Sequence, residues 1–325
     1  MKKSQLTKVF LVFLLAVLVF GAQILEAKEA SFPRRNIEFV VPFPPGGATD
    51  LIARPLAAIL TENLGKPVVV INKSGGARLE GGLYVANSRP EGYTVGFFGP
   101  SAAWPEVFFK EAPYTSQQIA LIARVTALPT VIVVSAKSKF QTWQDFVKYA
   151  KANPGIRYGH TGIGATPHLL LAALGEMEGL NLVPVPLKGD AGVSSAIVGG
   201  HVDISAGMLS GQLPQVQAGN ERVLMVHSPS RIAAIPTVPT VDDLGLRLDL
   251  PYSDLAVCGP KKIPSEVMRR LEEAISKAVA TPSFKATMDK LGAPIAYLGT
   301  DAYNQDAERQ KKILSALMRK IGAIQ

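Results

Sequence analysis

The sequence predicts an α/β protein built as two helix-covered lobes that face a shared cleft. Three observations carry this. Short apolar, β-branched runs alternate with amphipathic helical patterns, as in helix-covered parallel sheets. Two strand-to-helix joints, around residues 46 and 164, are glycine-rich loops of the same construction. Finally, 325 residues with 47% hydrophobic and 18% charged content are enough for two cores and too apolar for a disordered chain.

The first joint organises the chain. Ile37 to Val41 reads as a buried strand, and Pro42, Pro44, Pro45, Gly46 and Gly47 then shape a tight loop. Thr49 or Asp50 is suited to cap a helix whose apolar positions Leu51, Ile52, Leu56, Ile59 and Leu60 recur at helical spacing. A helix start leaves backbone N–H groups without partners, which suits an anion. The plain alternative is that the unit binds nothing and Asp50 is only a cap. No Lys-Ser/Thr follows the glycines, so the loop is not of the Walker type, and no G-x-G-x-x-G dinucleotide fingerprint is present.

Further along, Pro67–Ile71 is a second strand, Asn72–Gly82 a glycine-rich turn and Leu83–Ser88 a helix. Tyr93–Phe98 is a third strand that ends at Gly99-Pro100-Ser101. Ile119–Ala123 and Thr130–Val134 follow as short strands, then an amphipathic helix over Phe140–Ala152 with Trp143 on its core face. The second special joint follows the strand Ile156–Gly159. It reads His160-Thr161-Gly162-Ile163-Gly164-Ala165-Thr166-Pro167-His168, with Thr166 placed to cap and Pro167 in the first turn of a helix. Strands at Val183–Leu187, Val202–Ser205, Val223–His227 and Leu255–Cys258 come next, and helices from Pro264, over 282–291 and over Asp301–Ile321 close the chain.

Residues 1–27 read as an export signal. Lys2, Lys3 and Lys8 precede the apolar run Val9–Phe20, which is shorter than the ~20 residues a membrane span needs. Cleavage is expected after Ala27, an uncleaved anchor being the alternative. The formal charge of +8 is a mild excess, compatible with attracting acidic small molecules. No Lys/Arg block with interleaved aromatics points to nucleic acid.

Catalytic chemistry is sparse. His160, His168, His201 and His227 show no metal-ligand spacing, the single Cys258 sits in an apolar strand, and no G-x-S-x-G elbow occurs. No metal and no cofactor is expected. His168 is suited equally to reaching a ligand carboxylate and to packing in its helix start. Asp203 is suited more to satisfying loop N–H groups than to touching a ligand. Lys188 reads first as a surface lysine and second as an anion lure. Arg78 and Glu80, on the second glycine loop, either pair with each other or reach into the cleft.

The segments VPFPPGGATDLIARPLA, GKPVVVINKSGG, RPEGYTVGF, YGHTGIGATPHLLLAAL, VPLKGDAGVSSAIVGGHVDIS and GPKKIPSEVMRRLEEAISKAV occur in this order. As an ordered set they resemble the Bug family, the extracytoplasmic solute receptors of tripartite tricarboxylate transporters. The resemblance implies a two-lobed periplasmic binding protein fold of type II, with lobe 1 at residues 32–133 plus 254–325 and lobe 2 at 134–253. It also implies no enzymatic activity. The implied ligand is a small organic acid, handed to membrane permease subunits by a monomeric receptor outside the cytoplasm.

The family's P-F-x-x-G-G-x-x-D loop falls on Pro42, Phe43, Gly46, Gly47 and Asp50, with Ala48 and Thr49 between them. Its G-x-G-x-x-x-H loop falls on Gly162, Gly164 and His168, with Thr161, Ala165 and Thr166 alongside. Ser101 and Asp203 complete the implied ligand set, and Arg78, Glu80, Lys188 and Met208 are candidates for its far end. The sequence departs from the family in two places. Arg78 and Glu80 put charges where its second glycine loop is small or neutral, and Leu187 replaces a tyrosine. The other readings are a secreted α/β hydrolase or transferase using Ser101 and His168, and a ligand-sensing adaptor for a membrane signalling partner.

Overall fold

The computed structural model describes residues 32–320. The expected export signal lies outside these residues.

Two sheets form the scaffold. The first has the strand order β11-β4-β10-β3-β1-β2, with β1 (Ile37–Val41), β2 (Val68–Asn72), β3 (Thr94–Phe98), β4 (Ile119–Leu128), β10 (Ser253–Pro260) and β11 (Ile295–Leu298). The second has the order β7-β6-β8-β5-β9, with β5 (Thr130–Ser135), β6 (Ile156–His160), β7 (Leu182–Pro186), β8 (Ile204–Met208) and β9 (Glu221–His227). The chain leaves the first sheet at the end of β4 and enters the second at β5 with only Pro129 between, then returns at β10.

The sheets are mixed rather than purely parallel. β1 runs parallel to β2 and β3, and β6 parallel to β7 and β8, because helices connect these strands. β10 runs against β3 and β4, and β5 against β8 and β9. The antiparallel strands include those by which the chain changes sheet.

Burial follows the sequence pattern. Phe39, Val40 and Val41 of β1 are fully buried, as continuous apolar runs in helix-covered strands should be. The helix Trp143–Ala152 begins with a capping box, in which Thr142 accepts from the Asp145 N–H and Asp145 accepts from the Thr142 N–H. It buries Trp143, Phe146, Val147 and Ala150. The final helix, Thr300–Lys320, lies on the first sheet through Tyr303, Ala307 and Leu314. Its end reaches the second lobe, where Lys320 pairs with Glu176 at 2.7 Å.

Candidate functional site

The first wall is the loop between β1 and the helix Ala48–Leu64. Gly46 adopts φ +80, open to glycine at little cost, which turns the chain back onto the helix start. The N-cap is Gly47, with no side-chain cap bond. The expectation that Thr49 or Asp50 caps this helix is therefore corrected: both lie inside its first turn. Asp50 holds the loop from within. It is 2% exposed, and it accepts from the Gly46 N–H (2.9 Å), twice from Arg54 (2.8 and 2.9 Å) and from Asn72 Nδ2 (2.9 Å). Burial alone would raise its carboxyl, but these donors outweigh burial and hold it below the ordinary carboxylate range.

The second wall repeats this plan. β6 ends at His160, and the helix Thr166–Met177 begins after Ala165, its N-cap, again without a side-chain cap; Pro167 sits in the first turn. Thr166 is a first-turn residue rather than a cap. His160 Nδ1 accepts from the Gly162 N–H and His168 Nδ1 from the Gly164 N–H, each at 3.2 Å, with the two rings 4.4 Å apart. Burial, with His160 adding, pulls His168 down to about 4, so at neutral pH it is an uncharged acceptor. The contact His168 makes here, with the Gly164 N–H, lies within its own helix start. Gly164 has φ +73, and a Cβ there would stand 2.6 Å from Phe108 Cδ1 of the first lobe, so only glycine lets the two lobes meet at this point.

A third element comes from the turn before the helix Leu79–Ala86. Ala77 (φ +53) and Arg78 (φ +83) are both left-handed there. Arg78 is 8% exposed, and its Nη2 donates to the Ile163 carbonyl across the cleft at 3.0 Å. Burial pulls it down to about 10, and it remains a cation at neutral pH. Glu80 is exposed and does not pair with it.

These elements enclose a cavity of about 300 Å³. Phe43, Gly46, Gly47, Ala48, Thr49 and Ser101 line it from one side, and Thr161, Gly164, Ala165 and Thr166 from the other. Arg78, Lys188 and Met208 line it as well. Asp50, Gly162, His168, Asp203 and Glu80 do not. Asp203 instead accepts from the Arg157 N–H at 3.0 Å at the entry to β6.

Sequence reasoning missed Phe108, Asp190, Tyr252, Asp254 and Leu314, which also line the cavity. Asp190 had a visible signal, standing two residues after Lys188 at a helix start; the others arrive only through tertiary placement. Burial raises Asp190 to about 6, and its Oδ1 accepts from the Met208 N–H at 2.8 Å. Burial likewise raises Asp254 to about 6, against the pull of Arg124 and Gln310.

The hydrolase reading requires His168 to activate Ser101. His168 is off the cavity lining and its Nδ1 is engaged by Gly164, so that pairing is not made. No group of three or more His, Cys, Asp or Glu side chains fit to hold a metal occurs among the described residues.

The family described as "Tripartite tricarboxylate transporter family receptor" matches residues 52–324. The chain belongs to this family. Among its relatives is the UPF0065 protein in the tcbD-tcbE intergenic region of a Pseudomonas sp., 33% identical over 294 residues, covering 87% of each chain. A solved periplasmic binding protein, BugD, is similar at 28% identity with a TM-score of 0.82, covering 90% of this chain and 99% of that one. The structure of R. palustris Rpa4515 with adipate is similar at 25% identity with a TM-score of 0.84, covering 90% of this chain and 99% of that one. The two-lobed binding-protein architecture is thus shared with these two solved structures.

Proposed function

We propose that this receptor captures a small organic acid in the cleft and holds its carboxylate at the residues lining the two helix starts. One observation carries the reading. The N-termini of the helices Ala48–Leu64 and Thr166–Met177, one from each lobe, line a single cavity together with the cations Arg78 and Lys188. The first N–H groups of a helix have no intrahelical acceptor, and the helix dipole favours negative charge at that end. Ala48, Thr49 and Thr166 bring such groups to the cavity from both sides, and Ser101 lines it with them. Asp50 and His168 act through the loops they hold rather than by touching the ligand.

The adipate carried by the similar Rpa4515 structure supports a dicarboxylate of that kind as a first candidate. In this proposal the protein works in the periplasm as a monomer, has no catalytic role and needs no cofactor. It closes on its ligand and presents the closed form to the permease subunits of a tripartite transporter. Lobe 1 comprises the residues from 32 to the end of β4 and from β10 onward, and lobe 2 those between. The pairing of β5 within the second sheet supports a boundary at Pro129 in place of one after residue 133.

The test is a thermal-shift screen against mono-, di- and tricarboxylates and aromatic acids, with neutral sugars as controls. A ligand at a hundred times its Kd stabilises by about 2.7 kcal/mol, a clearly raised midpoint. A response confined to acids supports the proposal. A response to sugars alone, or to nothing, refutes it.

A further inference from the structure

We infer that Arg78 is the residue by which this receptor selects an ionised carboxylate, through a direct ion pair with the ligand. This deepens the carboxylate reading above and rests on it.

The charge of Arg78 is unbalanced. Arg78 is 8% exposed, and no Asp or Glu among the described residues lies within ion-pair distance of it. Its Nε is buried without any hydrogen-bond partner, and Nη2 has only the Ile163 carbonyl. A buried guanidinium without a counter-charge is costly unless something supplies the anion. The backbone is also committed to this placement. Two successive non-glycine residues, Ala77 and Arg78, take left-handed φ, a conformation that costs energy and persists where surroundings impose it. The side chain so placed lines the cavity and lies against the second-lobe loop, where a Cβ on Gly162 would stand 3.1 Å from Nη1.

The two acids in the lining do not compensate it. Asp190 is held by the Met208 N–H, and Asp254 by Gln310 and Arg124. An incoming carboxylate is the missing partner, and a guanidinium fork meets a carboxylate with directed, charge-assisted bonds.

The pairing determines selection. Backbone N–H groups at helix starts donate to an amide oxygen as well as to a carboxylate oxygen, so they separate acid from amide weakly. A buried cation separates them strongly. Because Arg78 belongs to the first lobe and touches Ile163 of the second, the same pair also joins the lobes around the bound anion.

The test uses the full chain and its Arg78→Gln and Arg78→Lys variants. Adipate, malate, citrate and benzoate are the probes, each beside its amide, with affinities from calorimetry and ligand-free melting points. Wild type is expected to bind at least one acid and to reject its amide. In Arg78→Gln the affinity for that acid should fall thirty-fold or more, about 2 kcal/mol, and the preference over the amide should largely vanish. Arg78→Lys should recover part of the preference, since it keeps the charge without the fork. The ligand-free melting point of Arg78→Gln should equal or exceed that of wild type, because an unpaired buried charge has been removed.

Unchanged acid affinity in Arg78→Gln would overturn the inference while leaving the carboxylate reading intact. A parallel fall in ligand-free melting and in affinity for acid and amide alike would make Arg78 a structural brace and overturn it too. Failure of wild type to bind any of the acids would overturn both.

Discussion

Glu221→Gln should make the protein more stable above neutral pH and leave it nearly unchanged near pH 4.5. Glu221 opens β9, is 4% exposed, and neither of its carboxylate oxygens has a hydrogen-bond partner. The nearby Ser194 hydroxyl donates to Gln212 Oε1 at 2.8 Å, and its pull on Glu221 only partly offsets burial. Burial raises the carboxyl to about 7, the charge of Asp190 adding to it, against an ordinary value of 4.5. The folded protein therefore holds this proton more tightly than the unfolded chain. Between pH 4.5 and 7 the folded state binds more protons, so the contribution is fully present below 4.5 and is lost as pH rises through 7. At 1.36 kcal/mol per tenfold in proton affinity, and allowing for partial solvent screening, the loss is about 2 kcal/mol. Glutamine cannot ionise and escapes it. Urea unfolding of both proteins at pH 4.5, 6 and 8 measures the gap between them, which should open from near zero to about 2 kcal/mol. A gap that is the same at all three values would refute the reasoning and place Glu221 in contact with water.

Two further substitutions probe the walls of the cleft. Asp50→Ala removes an acceptor for Gly46, Arg54 and Asn72, and urea unfolding should show a loss of about 2–3 kcal/mol, with the half-exposed Arg54 contributing least. Ligand affinity should fall as well, since Gly46 then lacks its tether; a loss of only about 1 kcal/mol would return Asp50 to the status of a simple cap. Gly164→Ala should weaken acid binding by tenfold or more and lower the melting point, because its Cβ meets Phe108 and its φ suits only glycine. Unchanged affinity would show that the lobes need not meet there.

Both walls of the cleft were legible in the sequence because their chemistry is local. Glycines with positive φ, prolines and a helix start lie within a few residues of one another at Phe43–Thr49 and again at Thr161–Thr166. The roles of Asp50 and His168 were only half legible. Arg54 stands four residues after Asp50 and offered a partner, but Asn72 comes from β2, and no local pattern brings it to Asp50. His168 faces Gly164 four residues away, a contact that a capping scheme built on Thr166 overlooks. Phe108, Tyr252, Asp254 and Leu314 reach the cavity from separate parts of the chain, so only the fold assembles them. β11 was missed for a related reason: it has four residues, all half-buried, and exists by pairing with the edge of β4. Strand direction was unreadable too, because β5 and β10 carry the same apolar pattern whichever way they run.

The single cysteine has a use that its burial creates. Cys258 lies in the middle of β10 between β3 and β4 with no exposed surface, and burial raises its thiol far above the ordinary range. Thiolate is the species that reacts with maleimides, so this thiol is silent in the folded protein. Any cysteine introduced on the surface then becomes the sole labelling point without further engineering. Ile163, half-exposed at the lip of the second-lobe loop, is a suitable place for a dye. A fluorophore there would sit beside the seam where Arg78 crosses between the lobes, and its emission would test the proposed closing of the cleft when an acid is added.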